Sequence, residues 1–288
     1  MNYRHAFHAG NFADVFKHAL LVHLIRALQR KAAGFLYLDT HAGRGRYDLA
    51  AAARGDTLAR RPEWPDGIGR LWKLPAPPPA LADYIGLVRE FNRQNGDVPP
   101  APQFYPGSPR LAQLLARPQD RLAFCEKHPE ECAALRAEFS GVRRVSVQAV
   151  DGYTALRAML PPPERRALVL IDPAFEAQDE FALITAALGE GLQRLPAGIF
   201  ALWYPLTERA RTDELFAGLT ASRLPPTLVL ELAVGGEASG LKMRGSGLVI
   251  LNPPWQFDRL TEGFLPQLAE ALAQAPGAGA TARWLVPE

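Results

Sequence analysis

Three features of the sequence predict an α/β fold built on a doubly wound sheet, mostly parallel, with an antiparallel hairpin at one edge. Short apolar strands alternate with helical patterns, carboxylates close successive strands, and a Pro-rich stretch interrupts the alternation once. The length of 288 residues, 48% hydrophobic and 22% charged, suits one large domain plus an insertion. The expected division places residues 1–47 and 106–288 in the main domain and residues 48–105 in a small helical insertion subdomain.

The first element is a helix. Asn11 is placed to cap it, Asp14 suits its first turn, and Ala13, Phe16, Leu20, Leu24 and Leu28 recur at spacings of three and four. Gly34 ends it, and FLYLD (Phe35 to Asp39) follows as a buried strand that runs into the glycine loop THAGRGRY. The insertion holds RRPEWPDG and LPAPPPALADY, with short helical patterns at Ile68 to Trp72 and Leu81 to Phe91. At YPGSPRLAQLLA the core pattern resumes, with Ser108 expected as an N-cap and Pro109 as the first helical residue. Strands are then expected at RLAFCE, RVSVQAVDG, ALVLID and GIFALWYP, with helices after the first three. TLVLELAV and GLVILNPP have no room for a helix between them and read as the edge hairpin.

Bulk properties exclude some classes. No apolar run approaches the roughly 20 residues of a membrane span, and the N-terminus lacks the apolar core of a secretion signal. Cys125 and Cys132 make no disulfide framework, so a reducing cytoplasm is expected. Net charge is only +2, but residues 1–61 hold ten Lys/Arg against four Asp. That excess permits a phosphate-rich partner; a solvated surface is the plainer alternative.

In a doubly wound sheet, ligands bind at the carboxyl ends of the strands. Those ends carry Asp39, His41, Gly43 and Gly45, then Glu126, then Asp151 with Gly152, then Asp172, Pro173 and Phe175, and last Trp203, Tyr204 and Pro205. Gly43 and Gly45 permit a tight turn but give only part of a dinucleotide fingerprint. Glu126 can accept the two hydroxyls of a ribose, and acids at four strand ends fit a nucleoside ligand without phosphate, which points to S-adenosylmethionine. Asp172 can accept hydrogen bonds from an exocyclic amino group, Pro173 stiffens the exit from the strand, and Phe175 can stack on a base. GLVILNPPW matches an Asp/Asn-Pro-Pro-aromatic motif more closely, but it closes the late hairpin. Pro253, Pro254 and Trp255 are therefore read as strand termination and packing.

YRHAFHAGNFADVFKH, LDTHAGRGRY, YPGSP, EKHP, DG, LIDP, ALWYP and NPPW occur here in the order found in the bacterial RlmJ family, and the resemblance covers essentially the whole chain. It implies a Rossmann-like methyltransferase sheet and S-adenosylmethionine-dependent N6-methylation of an adenine in 23S ribosomal RNA, naked or partly assembled. It also implies cofactor contacts from His18, His41, Ser108, Glu126, Asp151, Gly152 and Asp172, beside Gly43 of the loop. Asp172 becomes the acceptor for the amino group and Tyr3 meets the substrate adenosine. Arg4 and Lys17 are expected to face RNA, with Arg44 and Arg46 placed to meet phosphate. The departure is Ala174, where the family commonly has a second proline.

His5-x-x-His8 raises a metal site, but no Cys lies nearby and methyl transfer from a sulfonium needs no metal. No metal, no membrane contact and a monomer are expected. Two rival functions share the strand-end motif or the basic end. One is a methyltransferase of DNA adenine or of a protein glutamine; the other is a catalytically weak nucleic-acid-binding protein linked to use of external DNA.

Overall fold

Asn11 starts the first helix as its spacing suggests: its side-chain oxygen accepts the Asp14 N–H at 2.9 Å, and α1 runs over Phe12–Gln29. The structure, a computed structural model, describes residues 7–54, 61–96, 100–175 and 179–288. After α1 come β1 (Leu36–Asp39), β2 (Arg46–Asp48), α2 (Leu49–Arg54), α3 (Ile68–Trp72), α4 (Pro79–Gln94), β3 (Phe104–Pro106) and α5 (Ser108–Leu115). The regular alternation follows, with β4 (Arg121–Cys125), α6 (Pro129–Glu138), β5 (Val145–Gln148), α7 (Gly152–Met159), β6 (Ala167–Ile171), α8 (Glu180–Arg194), β7 (Ile199–Leu206) and α9 (Arg209–Thr220). The chain closes with β8 (Thr227–Ala233), β9 (Gly245–Leu251), α10 (Phe257–Glu262), α11 (Leu265–Leu272) and β10 (Gly279–Val286).

Eight strands form one sheet in the order β10-β8-β9-β7-β6-β1-β4-β5. From β7 to β5 all neighbours are parallel, while β9 runs antiparallel to β7 and β8 and β10 antiparallel to β8. The hairpin of β8 and β9 is present on that side, but it does not form the edge. β10 lies outside β8, and β9 is inserted beside β7. The edge strand escapes pattern reading because Thr281, Ala282 and Arg283 are exposed, so no clean alternation marks it.

Parallel strands covered on both faces read as continuous apolar runs, and β1 and β6 are buried at every position. One face is covered by α1, α5, α6 and α11, and the other by α7, α8 and α9. The helix α1 is buried nearly all round, since α4, α5 and β9 surround it. Phe16, Leu20 and Leu24 are fully buried there and stabilise the domain by about 1.5–3 kcal/mol each. The same enclosure buries Asp14, Lys17 and His18, which an outward polar stripe would have left wet.

The stretch expected as an insertion is bracketed by β2 and β3, which pair antiparallel. Its Ile68, Leu71, Leu81, Tyr84 and Val88 share one apolar core with α1. At the start of α5 the cap is Gly107, with extended backbone, so Ser108 is the first helical residue and not the cap. Trp255 is also not packed. It is 70% exposed, and Asn252 holds the strand exit by donating to the Pro196 and Gly198 carbonyls.

Candidate active site at the carboxyl ends of the strands

The glycine loop bends where β1 ends, with Gly43 at φ +60° and Gly45 at φ +77°. Glu126, just past β4, fastens that loop. Its carboxylate accepts the Gly43 N–H at 2.8 Å and the His128 N–H at 2.7 Å. A carboxylate offers about four acceptor positions, so two remain for a ligand. Asp151 caps α7 by accepting the Tyr153 and Thr154 N–H groups through Oδ1. Its other oxygen faces Lys127 at 3.4 Å. Gly152 lets α7 approach β1: a Cβ there would lie 2.2 Å from the Thr40 carbonyl oxygen.

Beneath the loop, Asp39 is fully buried, and burial pushes its carboxyl up to about 6 against the pull of the Ser108 and Tyr37 hydroxyls. Tyr37 donates to Oδ2 at 2.9 Å, whereas Oδ1 is buried with no hydrogen-bond partner among the described residues. His41 is held down at about 4, chiefly by burial, so its ring is neutral at pH 7. The ring bonds the Thr40 hydroxyl at 2.8 Å and meets Tyr153 edge-on.

Asp172 follows β6, next to β1 in the sheet. Lys17 Nζ lies 2.5 Å from Asp172 Oδ2 and 2.9 Å from Asp14 Oδ1. Lys17 was expected to face RNA from the surface; it is instead buried, because α1 is enclosed on all sides. Burial alone would lower its pKa, but Asp14 and Asp172 together raise it above the ordinary lysine value, so the ammonium stays charged. Asp172 Oδ1 has no partner among the described residues and is the acceptor that remains. Trp203 stands alongside, its ring centre 5.8 Å from Lys17 Nζ, and its Nε1 is buried without a partner among the described residues.

Pro173 is buried and Ala174 exposed. Phe175 adopts φ +52° and packs against Phe181 and Trp203, each with ring centres 5.8 Å away. Beyond it lies a cavity of about 200 Å³ lined by Ala174, Phe175, Tyr204, Thr207 and Arg211 among others. Further along α1, His18 is buried, bonds the Tyr105 hydroxyl at 2.7 Å and stacks on that ring.

One other expectation changes. Arg44 is engaged by both Glu131 oxygens at 2.8 and 2.5 Å, so it is not held ready for phosphate, while Arg46 sits over the Phe104 ring at 4.4 Å. Tyr3, Arg4 and His5 lie outside the described residues. Among those described, no group of three or more His, Cys, Asp or Glu is arranged to hold a metal, and no helix is long and apolar enough to cross a membrane. Sequence reasoning missed the pairing of Lys17 with Asp172. Asp14 and Lys17, three apart on a helix with apolar residues around them, were its only local signal.

The site suits a nucleoside that carries no phosphate. Glu126, Asp151 and the buried Asp39 stand at three strand ends, one Asp39 oxygen has no hydrogen-bond partner among the described residues, and the guanidinium of Arg44 is already paired.

Comparison with known proteins agrees with this geometry. Residues 32–286 match the family described as ribosomal RNA large subunit methyltransferase D, RlmJ. The chain is 40% identical over 288 residues to ribosomal RNA large subunit methyltransferase J of Escherichia coli, and 38% identical to the protein of that name in Haemophilus influenzae. Each alignment covers all of both chains. A solved structure of a Legionella pneumophila protein superposes with a TM-score of 0.82 at 32% identity, covering 96% of this chain and 97% of that one.

Proposed function

The chain belongs to the RlmJ family of large-subunit ribosomal RNA methyltransferases, and from that premise we propose that it transfers a methyl group from S-adenosylmethionine to N6 of an adenine in 23S ribosomal RNA. The observation that carries the reading is Asp172, at the end of β6 beside the β1 loop, with one oxygen held by Lys17 and the other without a partner among the described residues. The proposed substrate is naked or partly assembled RNA, the proposed enzyme a monomer, and residues 48–105 a subdomain of it.

S-adenosylmethionine, when bound, supplies an electrophilic methyl group on a sulfonium. Glu126, fastened by two backbone N–H groups, is set to accept the ribose hydroxyls. His41, Ser108, Asp151 and Gly152 line the same end of the sheet, and the neutral His41 ring adds no charge that would repel a sulfonium. His18 lies deeper, on Tyr105, and is proposed to act on the cofactor side of that network.

Asp172 Oδ1 accepts a hydrogen bond from the exocyclic amine and orients its lone pair toward the methyl group. Transfer of the methyl group to N6, with the thioether as leaving group, would place positive charge on N6. The fixed carboxylate stabilises that charge without reorganising, and the N6 proton departs by way of Asp172. The Lys17 ammonium offsets the carboxylate's charge in a buried setting and fixes its rotation. Phe175 and Trp203 provide aromatic walls for a base taken out of its stack. Tyr3 and Arg4 are proposed to reach the substrate from the N-terminal end.

The test is transfer of labelled methyl to 23S RNA from a strain lacking this gene, with the product nucleoside identified by mass spectrometry. N6-methyladenosine formed by wild type and lost in Asp172→Ala is expected. Equal transfer by both proteins would overturn the assignment of Asp172, and label on another base or on DNA alone would overturn the substrate.

A further inference from the structure

The proposed active site occupies the carboxyl ends of the strands, yet a dense cluster of positive charge lies at the opposite end. Four turns feed β6, β1, β4 and β5, neighbours in the sheet. Residues 30–35, 117–121, 140–144 and 161–166 of these turns carry eight Lys/Arg (Arg30, Lys31, Arg117, Arg121, Arg143, Arg144, Arg165 and Arg166) against two acids, Asp120 and Glu164, in a chain whose net charge is only +2. Both acids are already engaged, Asp120 by Arg117 and Glu164 by Arg121.

The turns form one continuous surface. Arg166 donates to the Leu28 and Ala33 carbonyls, Arg117 to those of Gln29, Lys31 and Ala33, and Arg144 to that of Gln119. Arg117 and Arg166 therefore cap the end of α1, which accounts for those two. It does not account for Arg30, Lys31, Arg143 and Arg165, which are exposed and have no ion-pair partner among the described residues. Burial and the neighbouring Arg117 both lower the Arg166 pKa from its ordinary value, as crowding of like charge requires. Three cations at the catalytic end are, by contrast, paired: Lys17 with Asp14 and Asp172, Arg44 with Glu131, Lys127 with Asp151.

We propose that this belt of cations at the amino ends of β6, β1, β4 and β5 is a second RNA-binding surface, which holds the phosphate backbone of the substrate away from the target nucleotide. The proposal rests on the RNA reading above and deepens it. A polyanion is the partner that the charge selects, because each phosphate neutralised releases counterions. The belt spans four strands, about 15 Å across, and lies about 16 Å from Asp172 along the five residues of β6. The belt faces away from the catalytic end and helices cover both faces of the sheet between them, so a short stem-loop seated in the active site is directed away from it, whereas an RNA hundreds of nucleotides long can wrap around to meet it.

The experiment compares wild type with a variant carrying Arg30→Gln, Lys31→Gln, Arg143→Gln and Arg165→Gln, four exposed side chains that make no hydrogen bond or ion pair among the described residues. Filter binding at several salt concentrations uses a full-length 23S transcript and, separately, a stem-loop of about 20 nucleotides carrying the target adenosine. The variant is expected to bind the long transcript at least 10-fold more weakly, with the slope of log K against log salt reduced by up to about 3. Its stem-loop affinity and its kcat should match wild type. A companion variant with Arg at those positions changed to Lys should keep wild-type binding, which separates charge from folding. Unchanged affinity for the long transcript, or an equal loss on both RNAs, overturns the proposal. So does binding of anionic lipid vesicles through these residues with RNA binding unaffected. Methyl transfer by wild type is read in parallel; its absence would refute the methylation reading alone, since filter binding still tests the belt.

Discussion

Lys17 and Asp172, 155 residues apart in sequence, meet at 2.5 Å and join the innermost helix to the catalytic strand end. Asp14 closes the arrangement from the other side, so one buried cation serves two carboxylates. Lys17→Met removes the cation and leaves two acids in a dry site. A destabilisation of about 3–5 kcal/mol is expected, measured by denaturant unfolding. Asp172→Asn keeps the shape and Lys17 keeps Asp14. That variant should remain folded, while kcat falls by about 100-fold or more. A stable Lys17→Met protein, or an Asp172→Asn protein with unchanged kcat, contradicts this account.

Asp39 sets a pH dependence of definite sign. Its folded-state pKa, about 6, lies above the unfolded value of 3.8, so the folded protein binds the proton more tightly. Its contribution to stability is present below pH 3.8 and is lost as pH rises through 6, with a magnitude on the order of 3 kcal/mol. His41 acts oppositely. Its pKa falls from 6.5 to about 4, so its contribution is present above 6.5 and is lost as pH falls toward 4. In Asp39→Asn the His41 effect stands alone. The variant's gain in Tm over wild type should therefore grow between pH 4 and pH 7, as read by calorimetry at fixed ionic strength. A constant difference across that range would refute the assignment.

Much of this architecture is legible in the sequence, for a physical reason. Parallel strands buried on both faces leave continuous apolar runs such as LVLI, and Asp151 and Asp172 mark where they end. What stays hidden depends on enclosure. Lys17 carries no sign that α4 and α5 will cover it, and a lysine on a helix is ordinarily solvated. Ser108 resembles a cap until Gly107 takes that position and frees its hydroxyl for Asp39. β10 is hidden because an edge strand alternates poorly. Trp255 looks like packing because large aromatics usually are.

Glu126 fastens the loop before any ligand arrives. Replacing it with Gln leaves one acceptor oxygen and places an NH₂ group against either the Gly43 or the His128 N–H, a donor facing a donor. Loop and ribose site are disturbed together. Isothermal calorimetry should show cofactor affinity reduced by about 10–100-fold, and filter binding should show RNA affinity unchanged. Equal losses in both would mean that Glu126 supports the whole fold instead.

Gly152 tests whether close approach of α7 to β1 is required. The added methyl of Gly152→Ala falls 2.2 Å from the Thr40 carbonyl, which is backbone and cannot rotate away. The helix must move outward at its first turn, carrying the Asp151 cap with it. A cost of about 1–3 kcal/mol is expected, together with weaker cofactor binding. Wild-type Tm and affinity in this variant would show that the seam has slack.

Ala174 stands where the resemblance read from the sequence implies a second proline. It is exposed, donates no backbone hydrogen bond among the described residues, and forms one wall of the cavity beside Phe175. Proline removes an N–H and fixes φ, so Ala174→Pro breaks no hydrogen bond there and narrows the unfolded ensemble. The next residue, Phe175, sits at φ +52°, a conformation that a bulky side chain keeps only while its ring is held by Phe181 and Trp203. If those ring contacts alone hold the loop, Ala174→Pro changes kcat by less than about 3-fold and stabilises the protein by about 0.4–1 kcal/mol. If the smaller residue is needed so that Phe175 can move as the base enters, the same substitution lowers kcat while leaving cofactor affinity intact. Stopped-flow methyl transfer on one RNA, with both proteins at saturating cofactor, separates the two, and the packing of Phe175 favours the first.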